Sequence, residues 1–285
     1  MDENGEKLLR AALVGNKDTV SELLSGAKDS IDVNYQNADG WSPLHVAACK
    51  GHANIVRLLQ QAGADLAPRT KFGFTPLHWA AYRGQRECVM LLLLHGAEID
   101  IPYPNNWSPL HWASAKGRED VVKFLLECGA ETDLKDNKGQ RPKDVSDEYH
   151  KEIKTLCDKF RKQEGHEMKR KLFKNAMDSE KWEVATILAL NGATTDIDIF
   201  NALLYNVLHT ENMNVDCIFV LMALLGRDLS SIDNNFKTKM LSAAVQAKDS
   251  VGAERLKMAI SRELNGEAVQ DILSVSTVPS SILIS

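Results

Sequence analysis

Histidines at a fixed spacing are the first candidates for chemistry in this chain of 285 residues. His45, His78 and His111 lie 33 residues apart, and a regular column of imidazoles could ligate metal ions. The same spacing governs many other residues, so it is the period of a structural repeat. We therefore expect each imidazole to bond to turn backbone and to orient the next unit, and we predict no metal site.

Covalent catalysis would need an activated nucleophile, and Cys157 with His150 is the best-placed pair. The two residues are seven apart and would lie roughly on one face of a helix. No third group or oxyanion donor accompanies them, and the chain has no glycine-rich phosphate loop, HExxH or GxSxG motif. The sequence thus predicts a protein that is not an enzyme and that uses no cofactor.

Composition and charge narrow the class of protein. The chain is 44% hydrophobic and 26% charged, as in soluble globular proteins, and no apolar run predicts a membrane span. The net charge of −5 argues against general affinity for nucleic acid. The polar, acidic N-terminus resembles no targeting signal, so a cytoplasmic protein is expected. The cysteines follow no metal-binding spacing and are expected to be reduced: Cys49, Cys88, Cys128, Cys157 and Cys217.

A stretch rich in lysine and arginine spans residues 151–174. Acidic residues interrupt it, so its main interpretation is a solvated helical surface and linker. The run Met168–Lys171 leaves nuclear import open as an alternative, and the protein would then also be nuclear.

A repeat of 33 residues is the strongest signal in the sequence. The run Ser42–His45 recurs as Thr75–His78 and as Ser108–His111, and Arg141–Asp144 is a decayed copy. Serine or threonine before the proline can cap a first helix, and proline suits its first turn. The apolar residues between positions 55 and 59 predict a second helix. Two short helices cannot bury their apolar faces alone, so neighbouring units must stack into a solenoid.

The period, the Ser/Thr-Pro-Leu-His-x-Ala run and the closing Gly-Ala pair resemble ankyrin repeats. The resemblance implies an all-α solenoid of stacked helix-turn-helix units with β-turn or hairpin connections, and protein binding rather than catalysis. We predict one such domain over residues 1–160. Its units are expected at 5–37, 40–72, 73–105 and 106–138, with a cap at 139–160 that resembles a final helix pair.

The signature fades beyond residue 160. Residues 171–193 keep the two-helix rhythm, and residues 198–226 and 236–262 each predict two more helices. We expect residues 161–262 to continue the solenoid as degenerate helical hairpins, with a separate helical domain as the alternative. Residues 263–285 are expected to form a flexible tail.

Aromatic residues mark the candidate binding surface. Trp41, Phe74 and Trp107 share the position before the Ser/Thr-Pro pair, which in ankyrin repeats projects outward toward the concave side. Trp79 and Trp112 follow the histidine, where packing between helices stands beside binding as an interpretation. Large aromatic side chains are common interface anchors. The predicted partner-binding residues are Trp41, Phe74, Trp107, Trp79, Tyr82, Trp112, Phe72, Tyr103, Arg69, Lys71 and Arg83, with Lys116 nearby.

These patterns predict a non-catalytic scaffold or adaptor that binds another protein or peptide through its turns and inner helices. Two alternatives stay open. One is an enzyme or effector activity in the C-terminal helical half, and the other is a nuclear or chromatin regulator that reads a peptide. The identity of the partner and the oligomeric state do not follow from the sequence.

Overall fold

The computed structural model describes residues 3–25, 31–147, 150–161 and 166–193. Contacts between residues divide the chain at Thr194, and all the described residues belong to the first compact unit. The helices predicted within 198–262 and the tail predicted at 263–285 lie outside the described residues.

Helices dominate the described residues, none of which lies in a β-strand. Among these helices, none is long and apolar enough to cross a membrane. The helices are α1 (Glu3–Val14), α2 (Lys17–Ser25), α3 (Pro43–Lys50), α4 (Ala53–Gln61), α5 (Pro76–Arg83), α6 (Arg86–Leu94), α7 (Pro109–Ala115), α8 (Glu119–Glu127), α9 (Lys151–Arg161), α10 (His166–Asp178) and α11 (Trp182–Leu190).

Helices α3, α5 and α7 begin as the sequence predicts. Ser42, Thr75 and Ser108 are their N-caps, and a proline follows each cap. Each cap oxygen accepts the N–H of the histidine three residues on, and the side chain of that histidine accepts the N–H of the cap. This capping box satisfies donors that the start of a helix would otherwise leave unpaired. Helix α3 ends at Gly51, whose φ of 82° is left-handed and suits glycine.

Tight turns join one unit to the next, as predicted. In the turn before α5, the N–H of Thr70 donates to the carbonyl of Phe74 at 2.9 Å, and the N–H of Gly73 donates to the carbonyl of Thr70 at 2.8 Å. Neighbouring turns also bond to each other, since the N–H of Lys71 donates to the carbonyl of Asp39 at 2.9 Å. The turn tips are therefore held in a fixed row.

The helices stack in two layers. The inner layer contains α1, α3, α5 and α7, and the outer layer contains α2, α4, α6 and α8, which α9 continues by packing on α8. Leu44, Leu77 and Leu110 recur at the repeat spacing and are fully buried. Burying a leucine contributes about 1.5–3 kcal/mol, so the stack is stabilised in every unit. This architecture confirms the predicted all-α repeat solenoid.

The fifth unit differs from the predicted final helix pair. Residues 142–146 form turns and a bend, and only α9 is helical among the described residues of this unit. Lys143 and Asp144 replace the Leu-His pair of the other units, so the histidine capping box cannot form. Instead the Asp144 carboxylate accepts the N–H of Arg141 at 3.0 Å and a guanidinium N–H of Arg141 at 3.0 Å. These bonds hold the segment in a turn.

Helices α10 and α11 form the helical hairpin that residues 171–193 predict. The main neighbour of α11 outside this hairpin is α6, in the outer layer, and Lys181 Nζ lies 2.7 Å from Glu127 Oε1 at the end of α8. The residues from Val184 to Ala189 are all buried, and a helix that is apolar on every side needs neighbours on more than one side. The hairpin thus packs against α6 and reaches the end of α8 in the outer layer.

Candidate functional site

The three repeat histidines tie each unit to the next. His45 Nε2 lies 2.9 Å from the carbonyl oxygen of Phe74, and His78 Nε2 lies 3.2 Å from that of Trp107. His111 makes the same bond to Gln140 at 3.2 Å. Because a carbonyl oxygen only accepts, Nε2 carries the hydrogen and Nδ1 accepts from the N-cap. The predicted structural role of these histidines is confirmed.

Burial keeps these imidazoles neutral. It lowers the pKa of His45 and of His78 to about 4, and it lowers the pKa of His111 as well. A neutral ring can accept at Nδ1 while it donates at Nε2, which the capping box requires. Within the described ranges, no three His, Cys, Asp or Glu side chains are grouped so as to hold a metal ion.

Seven aromatic side chains form one connected surface, which we call the aromatic patch. All seven are half-buried, and together they span the three central units. The members are Trp41, Phe74, Trp79, Tyr82, Tyr103, Trp107 and Trp112.

Two tryptophans on the inner helices organise the aromatic patch. The Trp79 ring centroid lies 4.7 Å from that of Trp41 and 4.7 Å from that of Phe74. The Trp112 ring lies 5.0 Å from Phe74 and 4.5 Å from Trp107. Each tryptophan thus contacts the turn aromatic of its own unit and that of the preceding unit. Such ring pairs contribute about 0.5–1.5 kcal/mol beyond their buried area.

Two tyrosines extend the aromatic patch between these tryptophans. Tyr82 lies 5.6 Å from Trp79 and 5.7 Å from Trp112, and Tyr103 lies 4.4 Å from Phe74. The sequence predicted these residues individually, but the pairing follows from stacking the units at a fixed distance. The rings of Trp79 and Trp112 pack against their neighbours, as the packing interpretation expects. Partner binding at these two half-buried residues stays a prediction.

Hydrogen bonding differs among the indoles of the aromatic patch. Trp107 Nε1 donates to Asp136 Oδ2 at 2.9 Å, which fixes this ring against the next turn. Trp79 Nε1 and Trp112 Nε1 are buried and have no acceptor among the described residues. The residue types do not predict this role of Asp136, because an aspartate in a turn carries no signal for a tryptophan of the preceding unit.

The remaining predicted binding residues lie around the aromatic patch. Phe72 is 70% exposed at a turn tip and makes no ring contact with the aromatic patch within the described structure. Arg69 Nη1 donates to the carbonyls of Gly73 and Pro102, both at 3.0 Å, so it ties adjacent turns together. Lys71 Nζ lies 4.0 Å from Asp39 Oδ1.

Cations border the aromatic patch at Tyr82. Arg83 Cζ lies 5.6 Å from the Tyr82 ring centroid and Lys116 Nζ lies 5.0 Å from it. Lys50 has the equivalent place in the preceding unit and is also exposed. Lys50 was not among the predicted binding residues, although its spacing of 33 from Arg83 indicates the same repeat position.

The candidate nucleophile does not form a catalytic pair. Cys157 is 1% exposed, and burial raises the pKa of its thiol to about 11. His150 Nδ1 lies 3.7 Å from Glu119 Oε1, so its near partner is a carboxylate. A protonated, buried thiol is a poor nucleophile. The structure describes no residue after 193, so most of the C-terminal half, where an enzyme or effector activity is the alternative, lies outside the described residues.

Comparison with known proteins places the aromatic patch within a recognised family of repeats. The family model described as ankyrin repeats, in three copies, matches residues 2–70 and 66–136. These ranges include all seven rings of the aromatic patch.

Two curated proteins resemble part of the chain. Alpha-latrocrustotoxin-Lt1a of Latrodectus tredecimguttatus is 42% identical over 59 residues, which are 21% of this chain and 4% of that protein. Serine/threonine-protein kinase 12 of Arabidopsis thaliana is 33% identical over 70 residues, which are 25% of this chain and 15% of that protein. The chain therefore spans only a small part of either relative.

Proposed function

Residues 2–136 belong to the ankyrin-repeat family, and on that premise we propose that this chain is a non-catalytic scaffold whose aromatic patch binds an extended segment of another protein. Ankyrin repeats are protein–protein interaction modules. The geometry of these rings supports the aromatic patch as the place of binding.

The continuity of seven half-buried rings across three units carries the proposal. Leucines and alanines already fill the core between the layers, with Leu44, Leu77 and Ala80 at most 1% exposed. The rings are therefore additional to the core. Tryptophan and tyrosine side chains supply much of the binding energy at protein interfaces.

Rigidity of the scaffold supports the same function. A histidine bond such as His78 to Trp107 fixes the turn of one unit against the inner helix of the preceding one. The rings of the aromatic patch are thereby held at set distances before any partner arrives. A pre-organised surface loses less conformational entropy on binding, which favours affinity.

A selection experiment tests this function directly. Peptides selected from a random display library against the intact chain would be labelled, and their affinities measured by fluorescence anisotropy. Tyr82→Ala should weaken binding by about thirtyfold, the effect of a typical hot-spot residue. Phe72→Ala is the comparison variant, because Phe72 is also a predicted binding residue but its exposed ring lies outside the aromatic patch.

The two variants separate the possible outcomes. Loss of affinity in Tyr82→Ala alone supports binding at the aromatic patch. Equal affinity in Tyr82→Ala and wild type, or failure to select any peptide, would refute it. A loss confined to Phe72→Ala would move the site to the turn tips.

A further inference from the structure

Three basic side chains occupy one repeat position at the C-terminal ends of the inner helices. Lys50, Arg83 and Lys116 each precede a glycine and are each exposed. None of the three forms an ion pair with a carboxylate in the described part of the chain. Their positive charges thus have no carboxylate partner among the described residues. We call these three residues the basic row.

The basic row borders the aromatic patch. Arg83 and Lys116 both lie against the ring of Tyr82, at 5.6 Å and 5.0 Å from its centroid. A segment bound over Tyr82 would therefore meet two cations directly. A partner with carboxylates at this edge would gain charge-assisted contacts, whereas a basic partner would be repelled.

In the first unit, apolar side chains occupy the position that corresponds to the basic row. Val14 precedes Gly15 as Lys50 precedes Gly51, so Val14 has the equivalent place on α1. Val14 is 78% exposed and its neighbour Leu13 is 41% exposed. The surface thus presents one apolar position followed by three basic positions.

The distance between neighbouring inner helices predicts the spacing of acidic residues in a bound peptide. Packed helices lie about 8–10 Å apart, and an extended chain advances about 3.3–3.6 Å per residue. One step along the row therefore corresponds to roughly three residues of an extended peptide.

We propose that the occupant of this surface is an acidic extended segment of another protein, with a carboxylate at every third residue and an apolar residue one step further toward α1. This inference rests on the proposed function and adds the chemistry of the partner. Lysine and arginine in the last turn of a helix also offset its partial negative charge. The test must therefore separate binding from stability.

Two labelled peptides of identical composition provide the probes. In the spaced peptide, three glutamates lie at every third position and a leucine lies one step beyond. In the clustered peptide, the same glutamates are adjacent. Each is made in both chain directions, and affinities for the intact chain are measured by fluorescence anisotropy. The spaced peptide should bind at least about tenfold more tightly in one direction, since each exposed ion pair adds a modest gain.

Charge reversal locates the contact. The triple variant Lys50→Glu/Arg83→Glu/Lys116→Glu should weaken binding of the spaced peptide by at least about tenfold. The matched control Lys123→Glu/Lys151→Glu/Lys174→Glu changes the net charge equally at exposed positions away from the inner helices. It should retain wild-type affinity within about twofold. Thermal unfolding of both variants reports any separate effect on stability.

Defined outcomes overturn the inference. Equal affinity for spaced and clustered peptides, absence of binding, or equal weakening by both triple variants would each refute it. The library-selected peptides distinguish a failure of this inference from a failure of the proposed function. If library-selected peptides depend on Tyr82 but show no acidic spacing, only the inference about the partner fails. If they do not depend on Tyr82, the binding function at the aromatic patch fails too.

Discussion

Acid should destabilise the repeat stack through its buried histidines, well above the pH at which most carboxylates are protonated. Burial holds the pKa of His45 and of His78 at about 4 in the folded chain, against an ordinary value of 6.5. Below about pH 6.5 the unfolded chain binds protons at these positions and the folded chain does not. The stabilisation is therefore complete above pH 6.5 and is lost progressively as the pH falls toward 4.

The size of this effect follows from the two pKa values. At about pH 5 each histidine lowers the free energy of unfolding by about 2 kcal/mol relative to about pH 8, so the pair contributes about 4 kcal/mol. His111 acts in the same direction, because burial lowers its pKa too.

The half-buried carboxylate of Asp100 has the opposite effect on the pH dependence of stability. Burial raises the pKa of Asp100 to about 7, although its two oxygens accept the N–H of Glu131 at 3.2 and 3.3 Å. The folded chain then binds a proton at Asp100 before the unfolded chain does. Between about pH 8 and pH 5 this gain stabilises the fold by about 2.5 kcal/mol, which conceals part of the histidine effect.

Asp100→Asn is the variant that reveals the histidine effect. An asparagine oxygen can still accept the N–H of Glu131, but it does not titrate. Urea unfolding at about pH 8 and about pH 5 should show a loss of about 4 kcal/mol in the variant and a smaller loss in wild type. A stability of Asp100→Asn that is unchanged between these pH values would refute the reasoning. So would a folded-state imidazole titration of His78 near 6.5 by NMR.

Three further tests concern the core, the turns and one buried thiol. Leu77→Ala removes a side chain that is 1% exposed and should cost about 2–5 kcal/mol in urea unfolding, whereas Leu13→Ala should cost at most about 0.5 kcal/mol. Gly40→Ala should destabilise more than Gly63→Ala. Both glycines have positive φ, but a Cβ at Gly40 would meet backbone of the next turn at 2.9 Å while Gly63 has open space, and thermal unfolding of both variants checks this. Cys157 should resist thiol alkylation until the chain unfolds, because its pKa is raised to about 11, and site-resolved mass spectrometry would detect earlier modification.

The sequence by itself determined the features that depend on local chemistry. A capping box joins residues three apart, such as Ser42 and His45, so its residue types predict it without knowledge of the rest of the fold. The left-handed turn at Gly51 is local in the same sense. Because these local features define one unit, the period of 33 residues predicts the same unit again along the chain. The apolar faces of the helices then require neighbouring units to stack.

The candidate site was predictable only in part. The alignment of Trp41, Phe74 and Trp107 was visible in the sequence, and the structure brings all three into one surface with Trp79 and Trp112. The contact between turn aromatics and tryptophans of adjacent units depends on the distance between units. The spacing of residues within one repeat does not give the distance between neighbouring units.

Only the tertiary structure decided the features that join distant surfaces. The apolar residues of α11 predict a buried helix but do not select α6 as its neighbour, because apolar burial is not directional. The guanidinium of Arg69 donates to the carbonyl of Pro102 in the next turn, a bond that no spacing in the sequence predicts, and partner binding at Arg69 stays a prediction. Local hydrogen bonds between near neighbours can be read from residue types, whereas these long-range choices depend on which complementary surfaces the folded chain brings together.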